Sequence, residues 1–69
     1  MNTIARVKEL ANERNLTFYD LSAICDVSYN TLKSAEKRGS QLTVDTIELI
    51  CAGLNISLAD FFAEKGVSQ

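Results

Sequence analysis

Residues that can cap a helix recur at five places along this chain, and each is followed by apolar residues at helical spacing. The capping candidates are Thr3, Thr17, Ser28, Thr43 and Ser57. Thr17 stands three residues before Asp20, which is the spacing of a capping box. The chain has no proline and no run of alternating apolar and polar residues of the length that a strand needs. The sequence therefore predicts an all-α fold of five short helices.

The apolar spacing also places the helices. The first is predicted from about Ile4 to Asn15, the second from the Thr17 cap to Cys25, and the others over 29–37, 44–54 and 58–62. Between the second and third helices, Asp26 tolerates the left-handed backbone of a sharp turn. With 69 residues there is room for one domain, predicted over 1–64, followed by a polar tail over 65–69.

The predicted core consists of the apolar stripes of these helices. Its expected members are Ile4, Val7, Leu10, Ala11, Leu21, Ile24, Cys25, Leu32, Ala35, Val44, Ile47, Ile50, Cys51 and Leu54. Arg6, Lys8, Glu9 and Glu13 are expected to face outward from the first helix. Of the neighbours Phe61 and Phe62, one is expected in the core, because adjacent residues point about 100° apart on a helix.

Several classes of protein are excluded by what the sequence lacks. No apolar stretch reaches the roughly 20 residues that cross a bilayer, and no signal peptide is present, so we expect a cytosolic protein without a membrane partner. The two cysteines, Cys25 and Cys51, are distant in sequence and histidine is absent, so neither a zinc site nor a disulfide framework is expected. Without histidine, a phosphate loop or a serine beside a base, we expect no enzyme and no cofactor.

The net charge of −2 argues against a polyanionic partner, but its distribution does not. Residues 28–41 hold three cations, Lys33, Lys37 and Arg38, against Glu36, which gives +2. The other residues sum to −4. One basic face on an acidic body is therefore expected, although scattered charges of this kind can also form an ordinary solvated face.

Residues 17–38 are predicted to form a short helix, a tight turn and a second helix with a small polar outer face. Such a unit is slender enough to enter a DNA major groove about 12 Å wide. The candidates for base contacts are Tyr29, Asn30, Lys33 and Ser34. The candidates for phosphate contacts are Thr17, Ser28, Lys37, Arg38 and Ser40. Tyr29 and Asn30 would also be ordinary surface residues at a helix start.

Two segments, 21–32 (LSAICDVSYNTL) and 43–62 (TVDTIELICAGLNISLADFF), together with Glu36, resemble the Cro and lambda-repressor type of helix-turn-helix regulators, the XRE family. The resemblance implies a compact five-helix, lambda-repressor-like DNA-binding domain. Its recognition helix would start at Ser28, and it would bind a roughly palindromic double-stranded DNA operator as a homodimer. The implied function is sequence-specific transcription regulation, most simply repression by blocking a promoter.

Other residues fit roles outside the DNA contacts. Glu36 is expected to be structural, capping a helix or pairing with Arg6 or Arg14 of the first helix. The fifth helix offers a dimer seam at Leu58, Phe61 and Phe62, or a simple covered helix edge. The family often has Gln where this chain has Phe18. An exposed Phe18 and the acidic net charge would instead suit a helix-turn-helix used for contact with a regulatory protein partner, as in an antirepressor.

Overall fold

A computed structural model of the chain describes residues 2–63 and shows five α-helices. They are α1 (Thr3–Glu13), α2 (Phe18–Cys25), α3 (Tyr29–Arg38), α4 (Val44–Leu54) and α5 (Leu58–Phe62). No strand occurs in this part of the chain, so the all-α prediction is confirmed. The predicted tail over 65–69 and Glu64 lie outside the described residues. None of the described helices has the length and apolarity to cross a bilayer.

The first helix begins one residue earlier than predicted, because Asn2 and not Thr3 is its N-cap. The Asn2 side chain accepts hydrogen bonds from the N–H groups of Ile4 and Ala5. Thr3 is buried, and its hydroxyl donates to Oε1 of Gln41 at 2.8 Å and accepts from the N–H of Leu42 at 2.7 Å. The Thr3 hydroxyl therefore fastens the loop between α3 and α4 to the start of α1.

Three other predicted caps, Thr17, Thr43 and Ser57, are confirmed, whereas Ser28 holds the N-cap position of α3 without a side-chain capping bond. Thr17 and Ser57 each form a full capping box with the aspartate three residues later, and Thr43 accepts from the N–H of Thr46. Left-handed residues follow α1, α2 and α4, at Asn15, Asp26 and Asn55, and Gly39 does the same after α3. Asn and Asp adopt this backbone at lower cost than most residues, so the chain reverses in a few residues.

The core confirms most of the predicted stripes but not two of their members. Ile24 is 49% exposed and Val44 is 64% exposed. Phe18 packs partly buried against the core, which turns the inner face of α2 toward Phe18, Leu21 and Cys25 and leaves Ile24 at the side. In front of α4, the loop residue Leu42 is buried instead of Val44.

Arg6 is the clearest departure from the predicted outer face of α1. Its side chain is only 7% exposed. Nε donates to the carbonyl of Phe61 at 2.5 Å, Nη2 donates to the carbonyl of Asp60 at 2.8 Å, and Nη1 pairs with Glu9. Arg6 lies beside the buried stripe, and its guanidinium satisfies the last carbonyls of α5. These bonds hold the short α5 against α1.

Helices α2 and α4 approach each other at Gly53, which lies inside α4 near its end. A Cβ added there would lie 2.4 Å from Sγ and 2.8 Å from Cα of Cys25. The absence of a side chain is therefore what permits this packing distance. The Sγ of Cys25 points to the carbonyl of Ile50 in the same contact.

Candidate nucleic-acid interface

The turn between α2 and α3 holds the two helices in a fixed relation. Asp26 is left-handed with φ 57°, and Val27 is buried beneath the turn. Leu21 of α2 and Leu32 of α3 are both wholly buried, and they anchor the two helices in one core. Within residues 17–38 the structure therefore has a helix, a tight turn and a second helix.

The outer face of α3 is a narrow polar ridge. Leu32 and Ala35 are buried, and the side chains opposite them at helical spacing are Asn30, Ser34 and Lys37. We refer to these three residues as the ridge. All three are exposed, and none makes a side-chain hydrogen bond or ion pair within residues 2–63. The ridge therefore presents an amide, a hydroxyl and an ammonium that have no side-chain partner among the residues that the structure describes.

A groove runs along each side of the ridge. The first, of about 350 Å³, lies between α3 and the α1–α2 region and is lined by Lys8, Ala11, Asn12, Leu16, Thr17, Phe18, Tyr19, Tyr29, Lys33 and Glu36. The second, of about 360 Å³, lies between α3 and the loop before α4 and is lined by Asn30, Thr31, Ser34, Ala35, Arg38, Ser40, Gln41, Leu42, Thr43 and Thr46. The two grooves make α3 stand out from the body of the protein.

The last turn of α3 carries two cations. Lys37 and Arg38 are exposed and form no ion pair with another described residue. Their position at the C-terminal end of the helix favours positive charge, because the last carbonyls carry partial negative charge. Lys37 on the ridge and Arg38 next to it therefore supply positive charge that is not paired with a described carboxylate.

Lys33 is exposed but is engaged with other side chains. Its Nζ lies 3.0 Å from Oε1 of Glu36, whose Oε2 lies 2.9 Å from Nζ of Lys8. The prediction that Glu36 pairs with Arg6 or Arg14 is therefore wrong, because the crossing of α1 over α3 brings Lys8 to it instead. Hydrogen bonds from Lys8 and then Lys33 lower the pKa of Glu36 below its ordinary value, and the bond to Glu36 raises the pKa of Lys33.

The remaining candidates for phosphate contacts lie at helix ends. Thr17 caps α2, and its own N–H is bonded to Asp20 at 3.0 Å. Ser28 occupies the N-cap position of α3 but makes no side-chain capping bond, so the first N–H groups of α3 are left without a cap. Ser40 is half-buried in the loop after α3, and its N–H donates to the carbonyl of Ala35 at 3.0 Å.

Aromatic side chains border the first groove. Tyr19, which is 70% exposed, meets Tyr29 edge-on with ring centroids 6.3 Å apart. Phe18 is partly buried, and Nζ of Lys33 lies 5.6 Å from its ring centroid. An exposed Phe18 would have favoured a protein-contact site, and its partial burial removes that reason. The sequence does not predict this contact between the two tyrosines, because it depends on how α2 and α3 pack.

The three residues predicted at a dimer seam differ in exposure. Phe61 is wholly buried, so it presents no surface to a second chain. Leu58 and Phe62 are 41% and 48% exposed on α5. The expectation that one of the two neighbouring phenylalanines fills the core is confirmed.

The described residues offer little for reactive or metal chemistry. They contain no cluster of three or more acidic, cysteine or histidine side chains able to hold a metal ion. Cys25 and Cys51 are buried free thiols, and burial is the main cause that raises the pKa of each. A raised thiol pKa lowers the fraction of reactive thiolate.

The geometry of α2, the turn and α3 agrees with a comparison to known families. No curated relative and no solved structure matches the chain. The model of the Cro/C1-type HTH DNA-binding domain matches residues 6–63, which include the turn, the ridge and all helices except the first residues of α1. The chain therefore belongs to the Cro/C1-type helix-turn-helix DNA-binding family.

Proposed function

We propose that the protein is a sequence-specific transcriptional repressor that binds an operator as a homodimer and places α3 in the major groove. Binding over a promoter would block transcription sterically. The observation that carries this proposal is the ridge, whose three polar side chains have no partner among the described residues. A surface of this kind is available to the edges of base pairs.

The chemistry of the ridge suits base recognition. An asparagine amide such as that of Asn30 can pair bidentately with adenine, and a serine hydroxyl such as that of Ser34 can donate to or accept from a base. The ridge is a single helix face between two grooves, so it fits a major groove about 12 Å wide. Tyr29 and Lys33 extend this surface on one side as further proposed base contacts.

Phosphate contacts position the protein and set its affinity. Lys37 and Arg38 provide free cations at one end of α3, and the uncapped N–H groups behind Ser28 provide donors at the other. The Thr17 hydroxyl and the Ser40 hydroxyl complete the proposed set. The backbone N–H groups of Thr17 and Ser40 are already bonded, and the Thr17 hydroxyl oxygen accepts from the N–H of Asp20, so the contact proposed for each residue is donation by its hydroxyl O–H.

Dimerisation is proposed through α5. Leu58 and Phe62 place two exposed apolar side chains one helical turn apart on its surface. A two-fold dimer buries the same patch from both chains. Its two α3 helices would then read half-sites separated by about one helical turn of DNA, roughly 34–36 Å.

Selection of binding sites from a random DNA pool tests the proposal. We expect a roughly palindromic consensus, and affinity for random duplex that falls steeply with added salt. Placing the selected site across a promoter should then reduce transcription in vitro. If no affinity for the selected DNA or for random duplex is detectable at low salt, the proposal is wrong. The alternative of contact with a regulatory protein is then favoured.

Two single variants separate base contacts from phosphate contacts. Asn30→Ala should weaken binding to the selected site and leave random duplex unaffected. Lys37→Ala should weaken binding to both and reduce the salt slope by about 0.9, the value for one phosphate contact. Each variant serves as the control for the other, because both lie on the ridge and neither contacts the core. If the two variants weaken binding to the selected site and to random duplex equally, the ridge does not contact bases as proposed.

A further inference from the structure

Glu36 is the only carboxylate between residues 28 and 41, the segment that carries all the proposed DNA contacts except Thr17. Each of its oxygens meets one ammonium group, Lys33 at 3.0 Å and Lys8 at 2.9 Å. The three side chains form a cluster with two positive charges and one negative charge. Glu36 therefore cancels half of the positive charge that this flank of α3 would otherwise present.

Lys33 has a second contact that holds it toward the first groove. Its Nζ lies 5.6 Å from the centroid of the Phe18 ring, within the range of a cation–π interaction. Glu36 and Phe18 thus hold the ammonium group on the first-groove side of α3. A lysine without these contacts would move over several rotamers and reach any nearby phosphate.

The pair also weakens the attraction that a phosphate would feel. With the carboxylate and the ammonium 3.0 Å apart, a phosphate near Lys33 is attracted by one group and repelled by the other at a similar distance. Glu36 stays ionised at neutral pH, because its two lysine partners lower its pKa. The repulsion is therefore present under the conditions in which DNA is bound.

We infer that Glu36 is a specificity-determining residue: it withholds the charge of Lys33 from phosphates and thereby keeps affinity for DNA of arbitrary sequence low. This inference rests on the proposed function. Affinity for random duplex comes mainly from phosphate neutralisation, whereas the operator also gains from base contacts. By weakening phosphate neutralisation, the carboxylate raises the ratio of operator affinity to random-duplex affinity.

The variant Glu36→Gln tests the inference, since it removes the charge and keeps the shape of the side chain. We expect tighter binding to random duplex and a salt slope steeper by about 0.9, as for one added phosphate contact. Lowering the salt fourfold should therefore increase affinity about 3.5-fold more than in the original protein. Partial unfolding of the variant would weaken binding, so it cannot produce this result.

Two controls separate Lys33 from a general change in net charge. Glu48→Gln makes the same change at an exposed position on α4 and should leave the salt slope unchanged. Adding Lys33→Met to Glu36→Gln should remove the gain, and adding Lys8→Met should retain it, because Lys8 belongs to α1 and not to the helix that meets DNA. The ratio of operator affinity to random-duplex affinity should fall in Glu36→Gln.

The outcomes distinguish this inference from the proposed function. If the original protein binds DNA but Glu36→Gln behaves like Glu48→Gln, the inference is wrong and the proposed function stands. The inference would also be wrong if the tighter random-duplex binding of Glu36→Gln persisted after adding Lys33→Met and disappeared after adding Lys8→Met. If the original protein shows no salt-dependent affinity, both the proposed function and this inference fail.

Discussion

Replacing Arg6 with methionine should destabilise the domain strongly, although arginine is usually a surface residue. Methionine retains an unbranched stem in the core but removes the donors to the carbonyls of Asp60 and Phe61. Each bond from a charged donor contributes about 1.5–3 kcal/mol, so we expect the free energy of unfolding to fall by about 3 kcal/mol or more. A chain of this length has a total of only about 3–10 kcal/mol.

Thermal unfolding followed by far-UV circular dichroism measures this loss. For a domain of this size, a fall of 3 kcal/mol lowers Tm by roughly 12–24 °C. Arg14→Met is the matched control, because Arg14 is partly exposed and its guanidinium meets only near neighbours in sequence: Nη1 donates to the carbonyl of Leu10 and lies 3.6 Å from the carboxylate of Glu13. We expect a loss of about 1 kcal/mol or less there. Equal losses in the two variants would refute a structural role for the Arg6 bonds to α5.

Three further predictions concern packing, the loop before α4 and pH. Gly53→Ala should destabilise the fold by about 1–3 kcal/mol in urea unfolding despite the better helix propensity of alanine, because the added Cβ would lie 2.8 Å from Cα of Cys25. Adding Cys25→Ala should not restore stability, since that Cα stays in place. Thr3→Val should cost about 1–3 kcal/mol, since it leaves the buried N–H of Leu42 without its acceptor, and an unchanged urea midpoint would exclude this. Hydrogen bonds from Lys8 and Lys33 lower the folded pKa of Glu36, so its stabilising contribution is present above the ordinary glutamate pKa and is lost as the pH falls through the folded value. The Tm difference between the original protein and Glu36→Gln should therefore shrink in acid, and a difference independent of pH would contradict it.

The helices and their turns followed from the sequence because they depend on local chemistry. Capping residues, left-handed Asp26 and the apolar stripes act within a few residues of themselves. The start of α1 was missed by one residue because Asn2 and Thr3 are both good caps, and the distant Gln41 decides between them. Residues close to Thr3 in sequence do not predict its contact with Gln41.

The errors in the sequence prediction share a cause. Arg6 binds backbone carbonyls some 55 positions away. Every residue has a backbone carbonyl, so no sequence pattern marks these two as the partners of Arg6. The sequence suggests Arg6 or Arg14 of α1 as the partner of Glu36. Lys8 is the actual partner on that helix, because the packing of α1 against α3 decides which cation reaches the carboxylate. The exposure of the ridge residues could be predicted, because their helical spacing opposite Leu32 places them outside.

The missing side-chain cap at Ser28 has a consequence for the free protein. Helices α2 and α5 begin with capping boxes that bond both ways, whereas the helix proposed to read DNA begins without one. Its first turn should fray more readily, and amide hydrogen exchange there should be faster than at the start of α2. A bound phosphate would supply the missing acceptor, so the helix would be completed by the molecule that it recognises, and part of the binding energy would go into ordering it.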